Sequence, residues 1–218
     1  QGTASRGISG PSTATIPADA AGSFAAASAL EREQASAEVH YVAGWVATTG
    51  DNGAMPYLIV DKVNARVFVF DAAGGLQDSA AALLGMERGD GSADGLGKRA
   101  LAAIGPDQRT TPAGRFVASL GLDLKGQDIL WVDYDTSLAL HRVVKGTPSE
   151  RRAQRLQSPI ADDNRISYGC INVPVPFFEA IVRPAFTRSS GVVYILPEMS
   201  PAKDLFKRDG AEVAPAVP

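Results

Sequence analysis

The chain has 218 residues, 45% of them hydrophobic, and a formal charge of −3. That charge supplies no basic footprint for nucleic acid, and no apolar run approaches the roughly 20 residues that span a bilayer. One cysteine and two histidines exclude an intramolecular disulfide and leave too few soft ligands for a zinc site, so neither a metal nor another cofactor is expected. The length suits one ordinary domain with extensions, or at most two small domains.

Residues 1–17 are rich in Ser, Thr and Gly, with Pro11 and Pro17, and read as a mobile leader. Residues 18–37 are Ala-rich and read as a helix that Asp19 could cap. Residues 39–48 mix Val, Tyr and Trp45 and suit either a strand or a packed continuation. Together residues 1–55 form a helical or extended N-terminal extension that supports, or wraps over, the remainder of the chain. The chain opens on Gln1 rather than Met, which fits removal of an export signal.

From Pro56 the pattern becomes β. Residues 57–60 and 66–70 are rich in Val, Ile, Phe and Tyr, with turn chemistry at Asp61-Lys62-Val63-Asn64. Gly74-Gly75 makes the next turn, and residues 80–85 read as a short buried strand. Residues 87–97 form a glycine-rich loop whose spacing does not match a dinucleotide fingerprint. A short helix is expected over 96–104, then strands near 115–120, 129–134 and 137–143. In the last of these, Leu138 and Leu140 share one face while Ala139 and His141 share the other. Residues 148–157 read as a helix with Pro148 in its first turn. Its Arg151, Arg152 and Arg155 form a solvated face or attract carboxylate groups. Residues 176–183 read as a helix packing Phe177, Phe178 and Ile181 behind the loop that precedes it.

The lone Cys170 sits in Ser167-Tyr168-Gly169-Cys170-Ile171-Asn172. An isolated cysteine is most often a small buried hydrophobe. Gly169 alters that reading, because it removes bulk beside the sulfur and permits a bend that presents backbone N–H groups. A thiol with a nearby imidazole can attack a carbonyl, so Cys170 and His141 are the candidate nucleophile and base.

The same run resembles the catalytic signature of the L,D-transpeptidase (YkuD-like) family, which reads His, a spacer, then Ser/Thr-His-Gly-Cys-hydrophobic-Asn. Thr111-Pro112-Ala113-Gly114-Arg115-Phe116 is similar to the family's Thr-Pro-x-Gly-x-Phe segment. Residues 57–61 with 66–70 resemble its first hairpin, and residues 191–195 its last strand. The resemblance covers about residues 56–197. It departs at two points. Tyr168 stands where the family has a second histidine, leaving His141 as the base and Tyr168 as a donor or pocket wall. His141 precedes Cys170 by 29 positions, longer than the usual spacer, which implies an inserted lid within 143–165.

The resemblance implies a mainly β fold with short helices, a YkuD-like sandwich or barrel. The catalytic domain would run over 56–200, between the extension at 1–55 and a tail at 201–218. It also implies a periplasmic enzyme of peptidoglycan biosynthesis, cell-wall organisation and cell shape. Its donor and acceptor would be peptidoglycan stem peptides, and carbapenem β-lactams would acylate Cys170. His141 would take the thiol proton, and N–H groups around Gly169 and Cys170 would hold the oxyanion. Ser167 and Asn172 would orient the loop or the histidine, and Arg165 could grip a substrate carboxylate. Tyr168, the long spacer and the proline-containing extension resemble a divergent proteobacterial branch that joins the first-position L-alanine to a third-position diaminopimelate. The alternatives are 3,3 cross-linking, hydrolysis of the same thioester, an inactive murein-binding domain, and redox sensing by the thiol.

Overall fold

The computed structural model describes residues 28–92, 95, 99, 100 and 103–207. The leader, the Asp19 cap and most of the helix expected over 96–104 lie outside the described residues. Residues 28–32 are helical, and after a turn helix α1 runs over Ala37–Thr49. Ser36 caps it, accepting from Val39 N–H and donating to Asp61 Oδ2 at 2.6 Å. Gly50, at φ 67°, ends it. Residues 39–48 are therefore a helix and not a strand. Val39, Val42 and Val46 recur on one helical face and are all buried.

Strands β1 (Tyr57–Asp61) and β2 (Arg66–Phe70) form the hairpin that alternation announces. Asp61 holds the turn, accepting from the Asn64 backbone at 3.0 Å and its side chain at 2.8 Å. Strand β3 (Leu76–Ala81) borders β2, and a two-residue β4 (Leu84–Gly85) comes after a break, so residues 80–85 are not one strand. The later strands are β5 (Gly114–Leu122), β6 (Asp128–Asp133), β7 (Leu138–Arg142), β8 (Arg165–Ser167), β9 (Ile171–Val173) and β10 (Gly191–Ile195). Eight of them make one sheet in the order β3-β2-β1-β10-β5-β6-β7-β9, parallel at β1–β10 and β7–β9 and antiparallel elsewhere. Leu83, just past β3, exchanges two backbone hydrogen bonds with Asn172 of β9, at 2.8 and 2.9 Å, which nearly closes the sheet on itself. Strands β4 and β8 pair in parallel beside this seam.

Period-2 alternation gives the central strands two buried faces. Leu58, Val60, Val193, Ile195, Leu130 and Leu140 face an inner core with Phe177, Phe178, Val182 and Phe186. Tyr57, Ile59, Phe68, Phe70, Val192 and Tyr194 face a second layer made by α1 together with Ala202 and Phe206. The Tyr41 hydroxyl and the Trp45 indole N–H donate to the carbonyls of Phe206 and Lys207. Asp51 receives Arg115 and the Tyr194 hydroxyl. Part of the extension and the start of the tail thus share one apolar layer against the sheet.

Val175–Phe186 is one helical run with a π turn at Phe178–Val182, where Arg183 N–H reaches back to Phe178 O. Pro184 comes next. It has no N–H to give Ala180 O, and the wider turn accommodates its ring. Residues 148–157 are not a single helix. A 3-10 turn at Pro148–Glu150 breaks at Arg151, which is left-handed at φ 45°, before one turn over Arg152–Arg155. Glu150 explains the break: its carboxylate accepts from Thr147 N–H and Arg152 Nε, and its carbonyl accepts from Arg155.

A charged cluster ties the loop after β4 to the segment after β10. Lys62 is 1% exposed. Its ammonium donates to Gly89 O, Asp90 Oδ1 and Thr111 O at 2.6, 2.7 and 2.9 Å. Asp90 also accepts from the Glu198 and Met199 backbone, and Arg165 and Arg88 converge on Glu198.

Candidate active site

The pairing of β7 with β9 sets Leu140 opposite Ile171 and His141 opposite Asn172. Cys170, one residue before Ile171, is therefore level with Ala139. The Leu138/Leu140 face enters the core and the Ala139/His141 face opens to a cleft. His141 lies two residues beyond Ala139 on that face, about 7 Å along the strand. Cys170 and His141 line the same cavity of about 260 Å³. The second histidine, His40, lies in α1, the helix of the other layer.

Cys170 is half-buried and has no disulfide partner. Its thiol donates to Ser137 O at 3.6 Å. Burial pushes the thiol pKa up, opposed by the Ala139 N–H. Burial pushes the His141 pKa down from 6.5, opposed by a 2.7 Å hydrogen bond between Nδ1 and Arg142 O. A carbonyl only accepts, so Nδ1 carries the proton and Nε2 keeps its lone pair. Both shifts favour the neutral thiol and the neutral imidazole near pH 7, and the two groups line one cavity.

The loop carrying Cys170 is bound from three sides. Ser167 Oγ donates to Cys170 O at 2.7 Å and accepts from Gly169 N–H at 3.0 Å. Thr111 Oγ1 donates to Gly169 O at 2.7 Å and accepts from Gly85 N–H at 2.9 Å. Asn172 Nδ2 donates to Cys170 O at 3.2 Å, and buried Arg152 fixes Asn172 by donating to its Oδ1 at 3.0 Å. Gly169 stands at φ 130°, and a Cβ there would lie 2.7 Å from Thr110 O, so only glycine fits this bend.

Tyr168 walls a second cavity, of about 270 Å³, on the other side of Cys170. The Arg109 guanidinium covers its ring at 3.9 Å and is held by two hydrogen bonds to Ile104 O.

Other site expectations are redirected. Arg165 is committed to Glu198, at 2.6 and 3.2 Å, and to Lys62 O, and it lines neither cavity at Cys170. Its charge is neutralised before any substrate arrives. Arg152 is 8% exposed and acts as an internal brace, not as a solvated face. The segment expected as a lid gives only Val144 to the cavity lining. Two of its side chains reach inward, Asn164 Nδ2 to Ala82 O and Arg152 to Asn172 Oδ1. It straps the nucleophile loop from behind. The Gly169 N–H is occupied by Ser167 and is lost to an oxyanion.

Sequence reasoning gave no role to Thr111 or Ser137, and it placed Arg152 on a solvated face. Thr111 was visible only as the first residue of a motif segment. Among the described residues, no group of three or more His, Cys, Asp or Glu is placed to hold a metal ion, and no helix is long and apolar enough to cross a membrane.

Compared with known proteins, the chain matches no family model and no curated relative.

Proposed function

We propose that this chain is a cysteine acyltransferase, a peptidoglycan L,D-transpeptidase with a YkuD-like fold that acts in the periplasm. The observation that carries the reading is the register of β7 and β9. It sets Cys170 beside Ala139 and puts the free Nε2 of His141 on the same open face. A neutral pair suits acyl transfer by general-base catalysis, with the thiolate forming as the carbonyl arrives.

In the first step His141 Nε2 takes the Cys170 proton and sulfur attacks the donor carbonyl. The Cys170 N–H is the oxyanion donor of this loop, because the Gly169 N–H is committed to Ser167. Protonated His141 then gives its proton to the leaving amine, and a thioester remains. An acceptor amine attacks the thioester, the C–S bond breaks and a new amide forms. The donor is the first-position L-alanine carbonyl and the acceptor the third-position diaminopimelate amine. The Tyr168 ring clamped by Arg109 supports this choice, since it narrows the cavity beside Cys170 and disfavours longer donors.

Mass spectrometry of defined muropeptides incubated with the protein tests the reading, with Cys170→Ala as control. A Cys170-dependent dimer joined through L-alanine supports it. A dimer joined through diaminopimelate at both ends keeps the enzyme and rejects the donor. Shortened monomers alone mean a hydrolase, and unchanged substrate that still binds means a murein-binding domain.

A further inference from the structure

The cavity holding His141 has a composition the catalytic pair does not require. Asp123, in the turn between β5 and β6, and Trp131 of β6 both line it with His141 and Cys170. Trp131 sits opposite Ala139 in the β6–β7 register and opposite Ser119 in the β5–β6 register, so its indole emerges on the catalytic face. Space is kept for it: a Cβ on Gly121 would lie 2.8 Å from the indole Cδ1. The indole stacks on Tyr134 at 4.6 Å, and its N–H points to Leu122 O at 3.4 Å.

Asp123 Oδ1 accepts from the Lys125 and Gln127 backbone, each at 2.8 Å, which fixes the carboxylate at the rim. Arg142 is the cation of the same lining, but Asp128 at 2.9 Å and Glu179 at 2.5 Å already neutralise it. Asp123 is in none of the salt bridges among the described residues, so its carboxylate stands in this lining beside an aromatic face, a combination that binds ammonium groups, with Lys125 the cation that acts on it from outside the lining.

We propose that Asp123 and Trp131 form a cation subsite that captures the protonated acceptor amine beside the Cys170 thioester. The assignment rests on the acyl-transfer reading and deepens it. His141 must receive the proton of the attacking amine, so the amine must enter on the His141 side, which leaves the cavity walled by Tyr168 to the acyl group. The ammonium gives one proton to solvent and the neutral amine attacks. The C–N bond forms as the C–S bond breaks, and the amine's second proton passes through His141 to the departing Cys170 sulfur.

The test is a partition measurement on the full chain. The acyl-enzyme is formed from a stem-peptide donor, and products with a primary-amine acceptor and with water are counted at pH 7. Asp123→Asn keeps an oxygen to cap the turn and removes the charge. The expected result is a fall of about tenfold in the ratio of aminolysis to hydrolysis at low acceptor concentration. That loss should be recovered by raising the acceptor concentration and be absent with hydroxylamine, a neutral nucleophile. Trp131→Leu should give a smaller fall of the same kind. An unchanged ratio in Asp123→Asn, or an equal fall with hydroxylamine, overturns the cation subsite and leaves the acyl-transfer reading standing. Absence of any Cys170 adduct in the unsubstituted protein overturns both.

Discussion

The Thr111 hydroxyl donates to Gly169 O at 2.7 Å while accepting from Gly85 N–H at 2.9 Å. One side chain at the entry to β5 thus joins the backbone beside the nucleophile to the backbone of β4. Thr111 is fully buried, so water cannot replace either bond.

Thr111→Val keeps the shape and removes both bonds. Leaving a buried N–H and a buried carbonyl without partners costs about 1–3 kcal/mol. The expected outcome is a lower thermal midpoint and at least a tenfold slower Cys170 acylation, with Thr111→Ser recovering most of both. Acylation at the unsubstituted rate in Thr111→Val would show that the loop does not depend on this brace.

The His141 pKa is depressed in the folded chain, chiefly by burial, so between its folded and unfolded values the unfolded chain binds more protons. Stability from this group is complete above about 6.5 and is lost as pH falls from there through the folded value. Acylation should track the same limb, since protonated His141 cannot act as base. The thiol pKa is raised, so alkylation of Cys170 by iodoacetamide should be slow at neutral pH and climb above pH 9. Denaturation midpoints and acylation rates from pH 4 to 8, compared with His141→Gln, check the acid side. A stability slope that persists in His141→Gln would assign it to another group.

Lys62→Met removes the cation at the centre of the cluster that ties the loop after β4 to the segment after β10. Asp90 and the carbonyls of Gly89 and Thr111 lose their donor. Breaking a buried pair from one side is expected to cost on the order of 3 kcal/mol, read by urea denaturation. Pairing the change with Asp90→Asn should recover part of the loss; full additivity of the two would contradict direct coupling.

The strands were legible where alternation is strong. Leu138 and Leu140 against Ala139 and His141 is a pattern only a half-buried strand satisfies, and it carried the candidate base with it. Residues 39–48 were ambiguous because a short run of Val, Tyr and Trp fits a buried strand or a buried helix face equally well. Lys62 looked like ordinary turn chemistry, since its partners Asp90, Thr111 and Glu198 are remote in sequence. Arg165 was misplaced for the same reason, its partner Glu198 being set by strand order, and Arg152 because the fold brings Asn172 to it as well as its near neighbour Glu150. Asp123 was invisible as a site residue because a turn aspartate is common, and only the β6–β7 register brings it to the cavity of His141.

The seam between Leu83 and Asn172 has a consequence for how a peptide could be held. Both backbone groups of Asn172 are spent on Leu83, so the outer edge of β9, two residues from the nucleophile, offers no free ladder for an incoming chain. Recognition by strand addition is closed at that edge. An acyl donor of the proposed enzyme would be held at that edge by its side chains, termini and charges and not by a backbone ladder. The nearly closed sheet thereby limits which chains can pair beside Cys170.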